Sequence, residues 1–305
     1  MANEVLHSSL EADVRMADLI GGAVRITLAD TASIRNTGAI DFLGGQNGMG
    51  SDTFRSPRVT LNAFTATAAE NTATANTALA DASETIAVVR HSLVREISDL
   101  ARATSRGAGD IDIPYLAQMM VLENEQGWMD SLAAVVAGFS ATAGATGVNL
   151  SVDNVYEAIA ALEIASVPGP YYGMLHPRQL ADLQTSVRAE TGVAEWKTDH
   201  GELLAMKDQG FFGSFLGINF FSSSRVDTAN TAADRAGAIW GAGAIGYKTA
   251  TAPPVAGAVM SQPNDILTVE LQRPDRAATT LVVGHSYYGI SLLEDARGVA
   301  VITDA

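Results

Sequence analysis

Apolar residues recur at helical spacing in the segment SVDNVYEAIAALEIASVPGPYYGMLHPRQLADLQTSV, residues 151–187. Val155, Ile159 and Leu162 fall at i, i+4 and i+7, which predicts a helix with one apolar face. Pro168-Gly169-Pro170 ends it, because proline lacks the amide and glycine relaxes the backbone. Tyr171 to Leu175 then predicts a short buried strand. Pro177 suits the first turn of a second helix, with Leu180, Leu183 and Val187 on one side.

The longest helical pattern runs from Asp112 to about Ala143. Pro114 fits its first turn, and Trp128, Leu132, Val135, Val136 and Phe139 recur at helical spacing, with Glu123 and Glu125 on the other side. Gly127 interrupts this helix and costs about 1 kcal/mol against alanine. It marks either close packing or a bend point. Upstream, Val59, Leu61, Ala63 and Thr65 alternate as in a strand. Ala66 to Ser83 is an alanine, threonine and asparagine tract that buries too little area to offset ordering. Glu84 to Leu93 is β-prone again, so the three pieces predict a long protruding hairpin. Asp41 to Gly50 is glycine-rich, with an Asn-Gly turn signal, and is expected to be a mobile connection. Toward the other end, Gly213 to Asp227 reads as a turn then a strand, and Ala236 to Ala250 as one further β stretch closed by Pro253-Pro254. Asp265 to Gln272, Thr279 to Leu293 and Gly298 to Thr303 are three more strands, the last two joined by a turn at 294–298. The sum is an α+β chain.

At 305 residues the chain is long enough for two or more lobes. Its 47% hydrophobic and 17% charged content is that of a globular protein. Cysteine is absent, so disulfides and thiolate chemistry are excluded. The opening residues lack the basic flank of a secretory signal, which predicts an intracellular product. Residues 131–152 carry no charge but are too rich in glycine and hydroxyl residues for a bilayer span. The net charge of −15 and the absence of a basic arm in residues 1–35 argue against a nucleic-acid reader. They are compatible with a container, because a wall that repels DNA lets the polymer slide.

No motif carries chemistry well. Gly241-Ala-Gly-Ala-Ile-Gly246 fits G-x-G-x-x-G, but the β-prone, proline-broken sequence after it lacks the helix that a dinucleotide site needs. His7, His91, His176, His200 and His285 include no pair at zinc spacing, and there is no G-x-S-x-G elbow. Glu123 and Glu125, two apart on a helix, point in different directions. No catalytic, cofactor or metal residue is assigned, and the chain is not expected to be an enzyme.

The ordered series resembles the major capsid proteins of tailed phages, the Hong Kong 97-type fold. The most specific part is 139–183, including Ala160-Ala-Leu162, Val167-Pro-Gly-Pro170 and Leu175-His-Pro177. The resemblance implies an N-terminal arm (1–50), an extended β-hairpin loop (51–97), a peripheral domain with the long spine helix (98–147), an axial domain (148–258) and peripheral sheet strands (259–305). It implies a shell of hexamers and pentamers around double-stranded DNA, assembled in the bacterial host cytoplasm and residing in the virion. The expected partners are copies of the chain, a portal, a separate scaffolding protein and a cement protein, with no cofactor and no membrane.

Some members of this family crosslink subunits through a lysine in the extended loop. Residues 41–105 hold no lysine, so that bond is not expected here. Arg55, Arg58, Arg90, Arg95 and Glu96 at the loop's base are instead the candidate subunit contacts, and Gly127 the candidate spine bend. Two rival readings stand: an encapsulin-type compartment of the same fold, and a soluble α+β enzyme.

Overall fold

The computed structural model describes residues 4–5, 33–45, 50–59, 81–100, 113–189, 211–231, 233–250, 258–261, 267–274 and 278–304. Two seven-stranded sheets, a two-stranded hairpin sheet and three α-helices make up the described architecture. The elements in chain order are β1 (Glu4–Val5), β2 (Asp41–Gly45), β3 (Thr53–Val59), β4 (Asp81–Ala87), β5 (Val89–Ser98), α1 (Ile113–Val136), β6 (Ala141–Ala143), α2 (Val152–Ile164), β7 (Tyr171–Leu175), α3 (Pro177–Ala189), β8 (Phe211–Phe215), β9 (Ile218–Ser222), β10 (Asp227–Ala229), β11 (Asp234–Gly241), β12 (Ile245–Thr249), β13 (Ala258–Ser261), β14 (Leu267–Gln272), β15 (Thr279–Leu292) and β16 (Gly298–Asp304).

The unit at 151–187 folds as its sequence predicts. Ser151 caps α2 in a reciprocal capping box with Asn154. Val152, Val155, Ala158 and Leu162 bury one face against the second sheet. β7 follows, then α3 from Pro177. Gln179, fully buried, fixes α3 to that sheet: its amide donates to the Arg235 and Val301 carbonyls and to Thr303 Oγ1, and its oxygen accepts from His176 N.

The first sheet is built on β15, which carries β5 along one edge and β14 and β12 in tandem on the other. The second has the order β6-β16-β11-β7-β9-β8. α1 lies at their junction. Its Trp128, Met129, Leu132 and Val136 share one core with Tyr247 and Tyr288 of the first sheet and Met174, Ala238 and Trp240 of the second.

Five expectations change. The expected mobile connection contains β2, which pairs in parallel with β12 and lays Phe42 on Tyr247, ring centroids 4.8 Å apart; residues 46–49 lie outside the described residues. The hairpin strands are displaced from their expected positions: 53–59 pairs with 81–87, and the tract 60–80 lies outside the described residues. The long helix stops at Val136, because Phe139 turns inward to a buried site and Ser140 N donates to Asp295 Oδ1. The uncharged run 131–152 is therefore helix end, short strand and turn, and among the described residues no helix is long and apolar enough to cross a membrane. The β stretch 236–250 is two strands split by a turn at 241–244, and they enter different sheets. The glycine motif is that turn.

The grouping of 259–305 also divides. β14 and β15 lie in the first sheet, but β16 pairs with β11 and β6 in the second. Its alternate residues Val299 and Val301 complete the core beneath α2, a non-local burial that outweighs proximity to β15.

Candidate functional site

The sequence-named charges do not form one patch. Arg55 is exposed on β3, while Arg58 on the same strand pairs with Glu294 at 3.5 Å. Arg90 and Arg95 lie five apart on β5, so the strand's two-residue period sends them to opposite faces. Arg90 is exposed, opposite Tyr287. Arg95 turns toward α1 and forms an ion pair with Glu123. Glu96 sits between Glu4 of β1 and Leu281 of β15 in register. Gly127 lies inside an uninterrupted α1, and a Cβ there would meet the Tyr288 hydroxyl at 3.6 Å, an ordinary contact.

Two features that the sequence reading missed fix the hairpin and the segment before it. The hairpin base docks on the first sheet through Ile86, which is fully buried. β4 passes so close to β15 that only glycine fits at position 289: a Cβ there would lie 2.0 Å from the Ala87 carbonyl oxygen. Lys248 of β12, itself buried, places Nζ 3.9 Å from the Phe54 ring centroid of β3. One of only three lysines, set in an apolar β run, was the available sequence signal. Arg35 in the 3-10 turn Ser33–Asn36 clamps that segment to α1. It donates to both Glu125 oxygens, at 3.2 and 3.1 Å, and stacks over Trp128 at 4.6 Å. Trp240 Nε1 donates to the Ala39 carbonyl at 2.7 Å. Glu123 and Glu125 thus diverge as their spacing predicts, one to β5 and the other to Arg35.

A cavity of about 240 Å³ separates α1 from the first sheet, lined by His91, Glu123, Asn124, Gly127, Ser286 and Tyr288 among others. Ser286 and His91 are cross-strand neighbours, which gives a serine, a histidine and a carboxylate in one place. They are not connected as a nucleophilic set. Ser286 Oγ has no hydrogen-bond partner among the described residues, His91 stacks on Tyr288 with centroids 4.0 Å apart, and Glu123 is held by Arg95. Burial pushes the His91 pKa below its ordinary value, opposed by a backbone hydrogen bond at Tyr288, and raises that of the Tyr288 phenol. The arrangement is a polar packing gap. Among the described residues, no three of His, Asp and Glu gather as a metal-ligand group.

No protein-family model and no curated protein matches the sequence. Solved structures do match. The chain is similar to one from Mycobacterium phage Che8 at 16% identity, covering 92% of this chain and 94% of that one, with a TM-score of 0.63. It is similar to the capsid of the cyanophage P-SCSP1u at 15% identity, covering 94% of each chain, with a TM-score of 0.60. The SrpI encapsulin of Synechococcus elongatus matches at 12% identity over 96% of this chain and 95% of that one, with a TM-score of 0.59. Likeness over more than nine-tenths of this chain and of the matched chains identifies the architecture of this chain as the α+β Hong Kong 97-type fold.

Proposed function

We propose that the chain is the major capsid protein of a tailed double-stranded-DNA bacteriophage. In this reading it is a structural subunit, not an enzyme, and it assembles as hexamers and pentamers into an icosahedral shell in the virion. The observation that carries the reading is end-to-end similarity to a phage capsid subunit, with more than nine-tenths of both chains covered. The hairpin β3–β4 serves as the extended loop, α1 as the spine helix, the first sheet as the peripheral domain and the second, with β16, as the axial domain. The acidic surface supports the reading, because a wall carrying a net charge of −15 does not trap packaged DNA. Arg55 and Arg90, both exposed, and Glu96 are the subunit-contact residues of this reading, and Arg58 and Arg95 pair within the subunit.

The encapsulin reading has its own support in the SrpI match. Purified particles separate the two. A phage capsid yields shells whose mature form holds double-stranded DNA and whose neighbouring genes encode a portal and a terminase. An encapsulin yields shells that hold protein cargo and lack those genes.

A further inference from the structure

α2 presents a second apolar face that nothing among the described residues covers. Tyr156, Ala160 and Ile164 recur every four residues on the side away from the core, and all three are exposed, Ile164 at 85%. Asp153, Glu157 and Glu163 are exposed around them. Glu163 stands in the last turn, the end where a helix favours cations, and no basic residue accompanies it. α3 has the opposite mismatch. Its first turn contains no acid, and Pro177 and Arg178 are exposed there, at the end where a helix favours anions. Arg235 lies near enough to join Arg178 in opposing protonation of His176. Neither Glu163 nor Arg178 forms an ion pair with another described residue.

We infer that the carboxyl-terminal end of α2 docks on the amino-terminal end of α3 in a second copy of this chain, with Glu163 meeting Arg178 and Ile164 covering Pro177. Each copy contributes one unlike patch to each of two neighbours, so the contact is head-to-tail and closes a ring when the rotation allows. Both helix-end mismatches are relieved at once, and the exposed isoleucine leaves water. This rests on the shell reading and names the residues that join subunits within one ring.

The test is a charge swap read by sedimentation velocity and thermal unfolding of the full chain. Glu163→Arg and Arg178→Glu each place a favourable charge at a helix end, so each single variant keeps or gains thermal stability. Each is expected to lower the assembled fraction by roughly tenfold or more, as loss of a close interfacial charge pair does. The double variant is expected to restore assembly, an outcome that a merely structural role does not produce. Single variants that assemble like the wild type, or a folded double variant that stays unassembled, overturn the inference and leave the shell reading standing. A wild-type chain that never forms rings or shells overturns both.

Discussion

Replacing Gly289 by alanine perturbs a close approach of the β4 backbone to β15. The added Cβ would lie 2.0 Å from the Ala87 carbonyl oxygen and 2.8 Å from its carbon. Ordinary contact begins near 3.4 Å, so β4 must withdraw by the difference, about 1.4 Å. No flexible side-chain end is available to move instead, because the obstacle is backbone. Overpacking of this kind costs about 1–3 kcal/mol. Ile86, the residue before Ala87, is fully buried, and losing its cover adds at most about 1.5–3 kcal/mol. Release of the hairpin base is then competitive with strained docking. Hydrogen–deuterium exchange should show faster exchange across 81–88, with α2, β7 and α3 unchanged, and the unfolding temperature should fall. Wild-type protection at 81–88 together with a wild-type unfolding temperature would refute the close-approach argument.

Other substitutions separate subunit stability from assembly. Gly127→Ala should stabilise the isolated subunit by about 1 kcal/mol, since the new methyl meets only the Tyr288 hydroxyl at an ordinary distance; if α1 bends there during shell expansion, the same variant expands more slowly, and an unchanged rate removes the bend. Arg90→Glu should leave unfolding unchanged and reduce particle yield, whereas Arg95→Glu should lower the unfolding temperature, because it sets a second carboxylate against Glu123; equal unfolding curves for the two variants would contradict the placement. His91 and His176 both have pKa values held down, His91 chiefly by burial and His176 by burial and then by Arg235 and Arg178. The folded state therefore disfavours their charged forms, so their contribution is complete above about pH 6.5 and is lost as pH falls below it. Thermal unfolding from pH 7.5 to 5.5 should accordingly decline less steeply in a His91→Asn, His176→Asn double variant than in the wild type, and parallel slopes would show that these histidines do not contribute.

What the sequence disclosed was local. The stretch 151–187 was legible because helical period and the prolines at 168, 170 and 177 act within a few residues. The same logic dismissed the glycine motif at 241–246, whose missing helix can be read directly. Sheet membership was not legible, because pairing partners lie far away in sequence. β11 and β12 are contiguous in composition yet serve different sheets, and β16 returns past its neighbour β15 to pair with β11. Arg35 meets Glu125 across 90 positions, and Arg95 meets Glu123 across 28. For that reason a list of loop-base arginines could not distinguish residues held inside the subunit from those left at its surface. Gly289 gave no signal among 28 glycines, since its requirement comes from another strand's carbonyl and not from its own backbone angles.

Light scattering on the size-exclusion eluate of the purified chain, with negative-stain images of the same fractions, tests self-assembly most directly. Capsomers and closed icosahedral particles are the predicted species. A stable monomer at every concentration, with its hairpin and long helix correctly folded, would contradict the account.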